Sequence, residues 1–446
     1  MPYIPNTIIR RSPATPGVFY VTDYGGSFDG TGAGATDNTT PIQNALNAAA
    51  AWNPQANATF HGAVVQLPAG IGKITGKLTM QYGVWLRGYG PGATVIYCQN
   101  WNVNADPAIL VDTTNMAAKL SDFGLIFGTV SPVTAHGIVV QNGLAYEQTM
   151  GVITTQLERV IIKGPGGDGI QLAGVENRIY DCVVRCTGNG FNVTATDAFL
   201  ANCTADTCGG AGFLLSTSNT KLANCKAFGC TGSGFNVNGQ RNMLSSCEAQ
   251  DNGAYGFNDP QGDNTFASCV ADTNGTAGGT AYGFHLSGAS CASACLAINR
   301  SGTPQDYGFF TGVANSVYPS VVGCTSRLPG TNHVDPASIG SIEVNGLYGA
   351  QSVAFSTPLT PDPYVGGTVV VGTLTAPITI NATSFTPFLG MKMGFQFTQD
   401  STGRVVTFDS VYKTSAAIAT TASSVTRIQF EFDGTNWRET GRAVTA

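Results

Sequence analysis

Leu200-Ala201-Asn202-Cys203-Thr204-Ala205-Asp206 returns 22 residues later as Leu222-Ala223-Asn224-Cys225-Lys226-Ala227-Phe228. The same frame holds at Cys182, Cys247, Cys269, Cys295 and Cys324, with successive cysteine spacings of 21, 22, 22, 22, 26 and 29 residues. Each cysteine has an apolar residue three before it and a small or apolar residue two after it, from Ile179 and Val184 to Val321 and Ser326. Upstream the frame continues without cysteine as Leu157/Val160/Ile162 and Leu120/Phe123/Leu125. A second column repeats in step: Gly190-Phe191, Gly212-Phe213, Gly234-Phe235, Gly256-Phe257, Gly283-Phe284 and Gly308-Phe309, preceded by Gly137-Ile138 and Gly169-Ile170. Each unit therefore holds at least two short strands with inward alternation, separated by Gly, Asn, Ser and Thr turns. A unit this short cannot bury its own apolar face and must stack on its neighbours. The expected fold is all-β, a right-handed parallel β-helix. A leucine-rich repeat is disfavoured, because no repeat holds a helical segment or a Leu-x-x-Leu-x-Leu run.

Composition agrees. Hydrophobic residues make up 43% of the 446, charged residues only 11%, and there are 57 glycines. That suits a turn-dense β protein with a neutral polar surface, not a disordered chain. The net charge of −6 with no basic run argues against nucleic acid. No run of about 18 apolar residues is present, so membrane insertion is not expected. Met1-Pro2-Tyr3-Ile4-Pro5 lacks the basic and apolar regions of a signal peptide, so synthesis in a cytoplasm is expected. The 12 cysteines fall one coil apart. Stacking places them side by side with parallel Cβ vectors, which is poor disulfide geometry. Reduced, buried ladders are expected, with a second one at Cys186, Cys208 and Cys230 and Asn252 next in line.

The flanks differ from the coils. Thr40 reads as an N-cap, Pro41 as the first helical position and Gln43 as its capping-box partner. Ile42, Ala45, Leu46 and Ala49 then share one helical face, as a plug for the open end of the stack would need. Beyond residue 350 cysteine disappears and strand-like runs follow: Gly367–Leu374, Ile378–Asn381, Lys392–Thr398, Arg404–Phe408 and Val425–Phe432. Ser401-Thr402-Gly403 and Asp433-Gly434 read as hairpin turns. The expected division is an extended arm at 1–20, a capped opening at 21–110, the parallel β-helix at 111–345 and a C-terminal antiparallel, sandwich-like β domain at 350–446.

The opening resembles that of the pectate-lyase-like superfamily. The resemblance rests on Val21-Thr22-Asp23-Tyr24-Gly25, Asp29-Gly30, Thr36-Asp37-Asn38-Thr39-Thr40-Pro41-Ile42-Gln43, Gly62–Gly70 and Gly83–Gly88. It departs from the family in an insertion, Thr31 to Ala35, and in Asn38 where a second Asp is usual. Such openings are common in bacteriophage tailspikes, and Phe430–Trp437 resembles C-terminal domains of phage tail proteins. The resemblance implies a homotrimer in the virion tail. It implies attachment to a tail or baseplate protein through the N-terminal arm, and bacterial surface polysaccharide as the partner.

No motif declares a reaction. The outward face of the repeated strand is the place to look. Residues one and three after each cysteine point out, giving Val183, Thr204, Lys226, Glu248 and Val270, and Arg185, Asp206, Phe228, Gln250 and Asp272. Glycoside hydrolysis needs two carboxyl groups. Glu248 and Asp272 stand one coil and two residues apart, with backbones roughly 8 Å apart, compatible with an inverting enzyme. Asp206 is a third carboxylate. Arg185, Lys226, Phe228 and Gln250 are expected to bind substrate. No cofactor is expected; a polysaccharide-lyase reading instead gives Ca²⁺ to Asp206 or Asp272, with Arg185 or Lys226 as base. Glu158, Asp168 and Asp181 are further candidates. His285 is expected to be an ordinary surface residue. The rival to catalysis is a non-enzymatic receptor-binding or structural tail fibre.

Overall fold

The structure is a computed structural model. It describes residues 17–52, 63–81, 83–99, 101, 107–111, 118–128, 135–141, 155–300, 305–312, 319–327, 332–334, 338, 341–346, 351–361, 368–383, 387, 389–418 and 420–445. These fall into two compact units, residues 1–220 and 221–446, and right-handed parallel β-helix coils run through both.

In the first unit a helix, Thr39–Ala51, buries Ile42, Ala45, Leu46 and Ala49 as its periodicity demands. Its start differs from expectation. The N-cap is Asn38, and Thr40 lies inside the helix. Gln43 does not close a capping box. Its amide pairs with the backbone of Thr79 in both directions, at 2.9 and 3.0 Å, and so completes the exposed edge of the strand Leu78–Met80. Asn38 is fully buried. Its amide donates to the carbonyls of Ser27 and Thr36 and accepts from Ser27 N. An aspartate could not donate there, which accounts for the departure from the family pattern. Of the proposed arm, residues 1–16 lie outside the described residues, and Val18–Tyr20 is a strand paired in parallel with Val64–Gln66.

The regular coils carry three strands each, and in others one long strand such as Gln156–Lys163 spans the first two. In the first unit Arg178–Tyr180, Val183–Arg185 and Phe191–Val193 make one coil, and Phe199–Ala201, Thr204–Asp206 and Phe213–Leu215 make the next. Inward residues stack in ladders. Phe191 and Phe213 lie 4.7 Å apart and 3° from parallel. In the second unit Phe235, Phe257, Phe284 and Phe309 continue the pattern at 4.8, 4.7 and 5.0 Å. Those spacings equal the strand spacing of a sheet, so one repeat distance satisfies backbone and rings together.

The corners are left-handed. Asp181 and Asn202 in the first unit, and Asn224, Ser246, Ser268 and Ala294 in the second, have φ between 52° and 55°. Each directly precedes a ladder cysteine, and each cysteine thiol contacts the carbonyl two residues back, from Tyr180 for Cys182 to Ser293 for Cys295, at 3.3–3.5 Å. Cysteine is thus the small apolar side chain that also offers a weak donor to the corner. All 12 cysteines are free and all but Cys291 are buried. The neighbouring Cys269 thiol, and then burial, push Cys295 up to about 12. The second ladder turns to amides as expected at Asn252, and continues through Asn274 and Gln305. Asn252 Nδ2 donates to Asn274 Oδ1 at 2.8 Å, and Asn274 Nδ2 to Gln305 Oε1 at 2.8 Å.

The glycines of the Gly-Phe column serve packing. A Cβ on Gly256 would lie 2.6 Å from the carbonyl oxygen of Gly283 and 2.9 Å from the Ala271 Cβ.

The C-terminal region is a six-stranded sheet in the order Gln351–Val353, Thr368–Leu374, Lys392–Gln399, Val425–Phe432, Trp437–Thr445 and Tyr412–Lys413. The expected antiparallel sandwich needs correction. Only the pairings of Val425–Phe432 with Lys392–Gln399 and with Trp437–Thr445 are antiparallel, and the other three are parallel. Asp433-Gly434 does turn a hairpin. Ser401–Gly403 does not, because Val406–Phe408 leaves to pair in parallel with Ile378–Ile380. Phe395, Phe397, Phe430 and Trp437 fill the core of this sheet.

Two outcomes follow. Gly256→Ala should destabilise the protein by about 1–3 kcal/mol through overpacking; an unchanged urea midpoint would contradict the packing role. Under native, non-reducing conditions Ellman's reagent should find one thiol, Cys291, and after denaturation all 12. A denatured count below 12 would mean disulfides.

Candidate functional site

On the second unit the strands Lys226–Phe228, Glu248–Gln250 and Val270–Asp272 stack in the expected register, Lys226 beside Glu248 beside Val270 and Phe228 beside Gln250 beside Asp272. The side chains form one continuous polar chain. Lys226 Nζ lies 3.1 Å from Glu248 Oε2 and donates to Gln250 Oε1 at 2.6 Å, 5.7 Å from the centre of the Phe228 ring. Gln250 Nε2 donates to Asp251 at 3.1 Å. Arg300 bonds both oxygens of Asp251 at 2.7 Å through one nitrogen and reaches Asp272 at 2.8 Å through another. The Thr273 hydroxyl also donates to Asp272, at 2.7 Å.

The structure thus gathers Lys226, Phe228, Glu248, Gln250 and Asp272 on one face. It adds two residues the sequence reading missed, Asp251 and Arg300. Asp251 occupies a left-handed corner, φ 54°, so its sequence signal is that of a turn. Arg300 acts across 49 residues of sequence, beyond any local pattern. The two main candidates differ in access. The Glu248 side chain is 37% exposed, whereas that of Asp272 is 9% exposed beneath Arg300.

Asp206 and Arg185 belong to the first unit and bond to each other; the Thr207 hydroxyl adds a bond to Asp206 at 2.9 Å. Both carboxylates that the lyase reading would give to Ca²⁺, Asp206 and Asp272, carry an arginine, a donor set that does not fit the ion. Among the described residues no cluster of His, Cys, Asp and Glu fits a metal. Glu158 is bonded to Lys119 and Arg159, and Asp181 to Asn202.

Asp168 stands apart. It is buried, and it accepts from Asn189 N, Asn189 Nδ2, Gln171 Nε2 and Asn192 Nδ2 at 2.7–3.0 Å. His136 joins it, its Nδ1 accepting the Asp168 N–H at 2.9 Å. Burial lowers the His136 pKa, with Asp168 pulling the other way. His285 is not a plain surface residue. It stacks on Phe310 at 4.9 Å and 3°, with Tyr255 and Tyr282 beside it, and burial lowers its pKa. Asp259 is fully buried and serves a turn, accepting from Gly262 N and Asn264 Nδ2 at 2.8 and 2.9 Å.

Comparison with known proteins adds three findings. No curated protein matches the chain. Among solved structures, the A-module of mannuronan C-5 epimerase AlgE6 from Azotobacter vinelandii matches at 16% identity over 88% of this chain and 99% of that one, TM-score 0.50. The ORF18 protein of Geobacillus virus E2 matches at 16% identity over 71% and 62%, TM-score 0.47, and the Dettilon tailspike protein at 12% over 93% and 76%, TM-score 0.49. At such identity the epimerase module speaks for the fold alone. Residues 129–299 match the family described as "Right handed beta helix region", and residues 359–437 match the "Putative phage tail fibre C-terminal domain". The chain therefore joins a right-handed β-helix region to a C-terminal domain of the phage tail fibre kind.

Proposed function

We propose that this chain is a phage tailspike-type protein of the virion tail that recognises and depolymerises bacterial surface polysaccharide. The carrying observation is the tail-fibre C-terminal match at 359–437 behind β-helix coils. In this reading a homotrimer is held to a tail or baseplate protein through the N-terminal arm, and the sugar chain lies along an outward strand face. Glu248 and Asp272 divide the work of hydrolysis, one protonating the leaving oxygen and the other activating water. Glu248 is the accessible member. Arg300 would have to swing off Asp272 when substrate binds, handing its charge to Asp251, which it already holds. Lys226, Phe228 and Gln250 position the sugar, Phe228 by its ring face.

One observation favours a second reading, a non-enzymatic receptor-binding fibre. Both main carboxylates are already matched by cations, Lys226 and Arg300, as on a face built only to hold its own side chains.

Purified protein incubated with capsule or O-antigen from a host panel should release oligosaccharides, and Glu248→Gln should reduce the rate at least a hundredfold. Binding without release across the panel would leave the fibre reading; a fully active Glu248→Gln would remove the site assignment alone. Asp272→Asn and Asp206→Asn complete the series. Light scattering should return about three times the 46.1 kDa chain mass, and a clean monomer contradicts the trimer.

A further inference from the structure

A groove of about 560 Å³ opens on the first unit over the strands Ile138–Val140, Ile170–Leu172 and Phe191–Val193. Val139, Gln141, Gln171, Leu172, Asn192 and Thr194 line it, and among the described residues no charged side chain does. Its volume falls within the usual range for small-molecule sites. Val139, Gln171 and Asn192 hold the same outward ladder position on successive coils.

Asp168 organises this surface. Its Oδ2 takes a hydrogen bond from Gln171 Nε2 at 2.8 Å and from Asn192 Nδ2 at 2.9 Å, while its Oδ1 is bonded to Asn189. Each amide is thereby held by its NH₂ end, and its oxygen is left as an acceptor for something else. For Asn192 the consequence is explicit: Oδ1 is buried and has no partner. A buried acceptor without a donor is rare in folded proteins. The partner that relieves it must bring a hydrogen-bond donor and no negative charge, because a second carboxylate would sit against Asp168. Val139 and Leu172 add apolar surface beside these acceptors. Hydroxyl donors on a ring with an apolar C–H face meet all of these requirements.

We propose that this groove binds a neutral sugar residue of the polysaccharide, with the Asn192 and Gln171 oxygens accepting its hydroxyls and Asp168 acting as the positioning residue beneath them. The proposal rests on the polysaccharide reading above and adds a binding site and a sugar class to it. It is separate from the carboxylate face of the second unit.

The test is binding of the full chain to immobilised bacterial polysaccharides, one set neutral and one set containing uronic acids. Two variants are compared. Asn192→Leu removes the acceptor, and Leu214 already fills the next position of that ladder, so the coil accommodates it. Thr194→Trp blocks the groove from an exposed position. The expected result is retention on neutral glycans, no retention on the uronic-acid set, and at least tenfold weaker neutral binding in both variants, each still folded by circular dichroism. Undiminished binding in both variants overturns the groove and leaves the polysaccharide reading standing. Wild-type binding confined to uronic-acid glycans overturns the neutral class. Wild-type binding to no glycan overturns both readings.

Discussion

Parallel hydrogen bonding between successive coils imposes one repeat distance on everything this chain does. Equivalent residues are held within about 5 Å of each other, so every choice of side chain is also a choice of neighbour. Phenylalanine is compatible because its rings stack at that distance, 4.7–5.0 Å here. Asparagine is compatible because one amide can donate to the next, from Asn252 to Asn274 and on to Gln305. Opposite charges stand beside each other on the outward face, as in Lys226 beside Glu248.

The same rule explains what was legible in the sequence. Residues that recur at the coil period, the Cys and Gly-Phe columns, reveal the fold, the inward and outward faces and the register of the second unit's strands. Residues used once do not recur and stay silent. Gln43 carries a capping-box pattern but finds a better partner in the Thr79 backbone. The C-terminal strands are legible by alternation, and Asp433-Gly434 by its turn. The parallel pairings of Thr368–Leu374 and Tyr412–Lys413 are closed by non-local connections, so alternation names those strands but not their partners.

The candidate site divides along the same line. The outward columns placed Glu248, Gln250 and Asp272 together because they belong to the repeat. Arg300 comes from outside the repeated columns, and it covers Asp272 while Glu248 stays exposed. His136 and Asp168 hold the same position, each directly before the glycine of a Gly-Ile pair, and backbone and side chain meet at 2.9 Å.

The left-handed corners carry one more consequence. Ser, Ala, Thr and Arg residues stand at φ near +50° to +57° at Ser246, Ala294, Thr273 and Arg241, a conformation costing about 1 kcal/mol or more for side chains without special local bonding. A lone coil has nothing to offset that cost, and a coil laid against a finished one does. Growth of the stack is therefore templated: an ordered rung lowers the barrier for the next, as in other solenoids where stability resides in the interfaces. An ordered coil thus favours the coil beside it, on either side, through the interface they share.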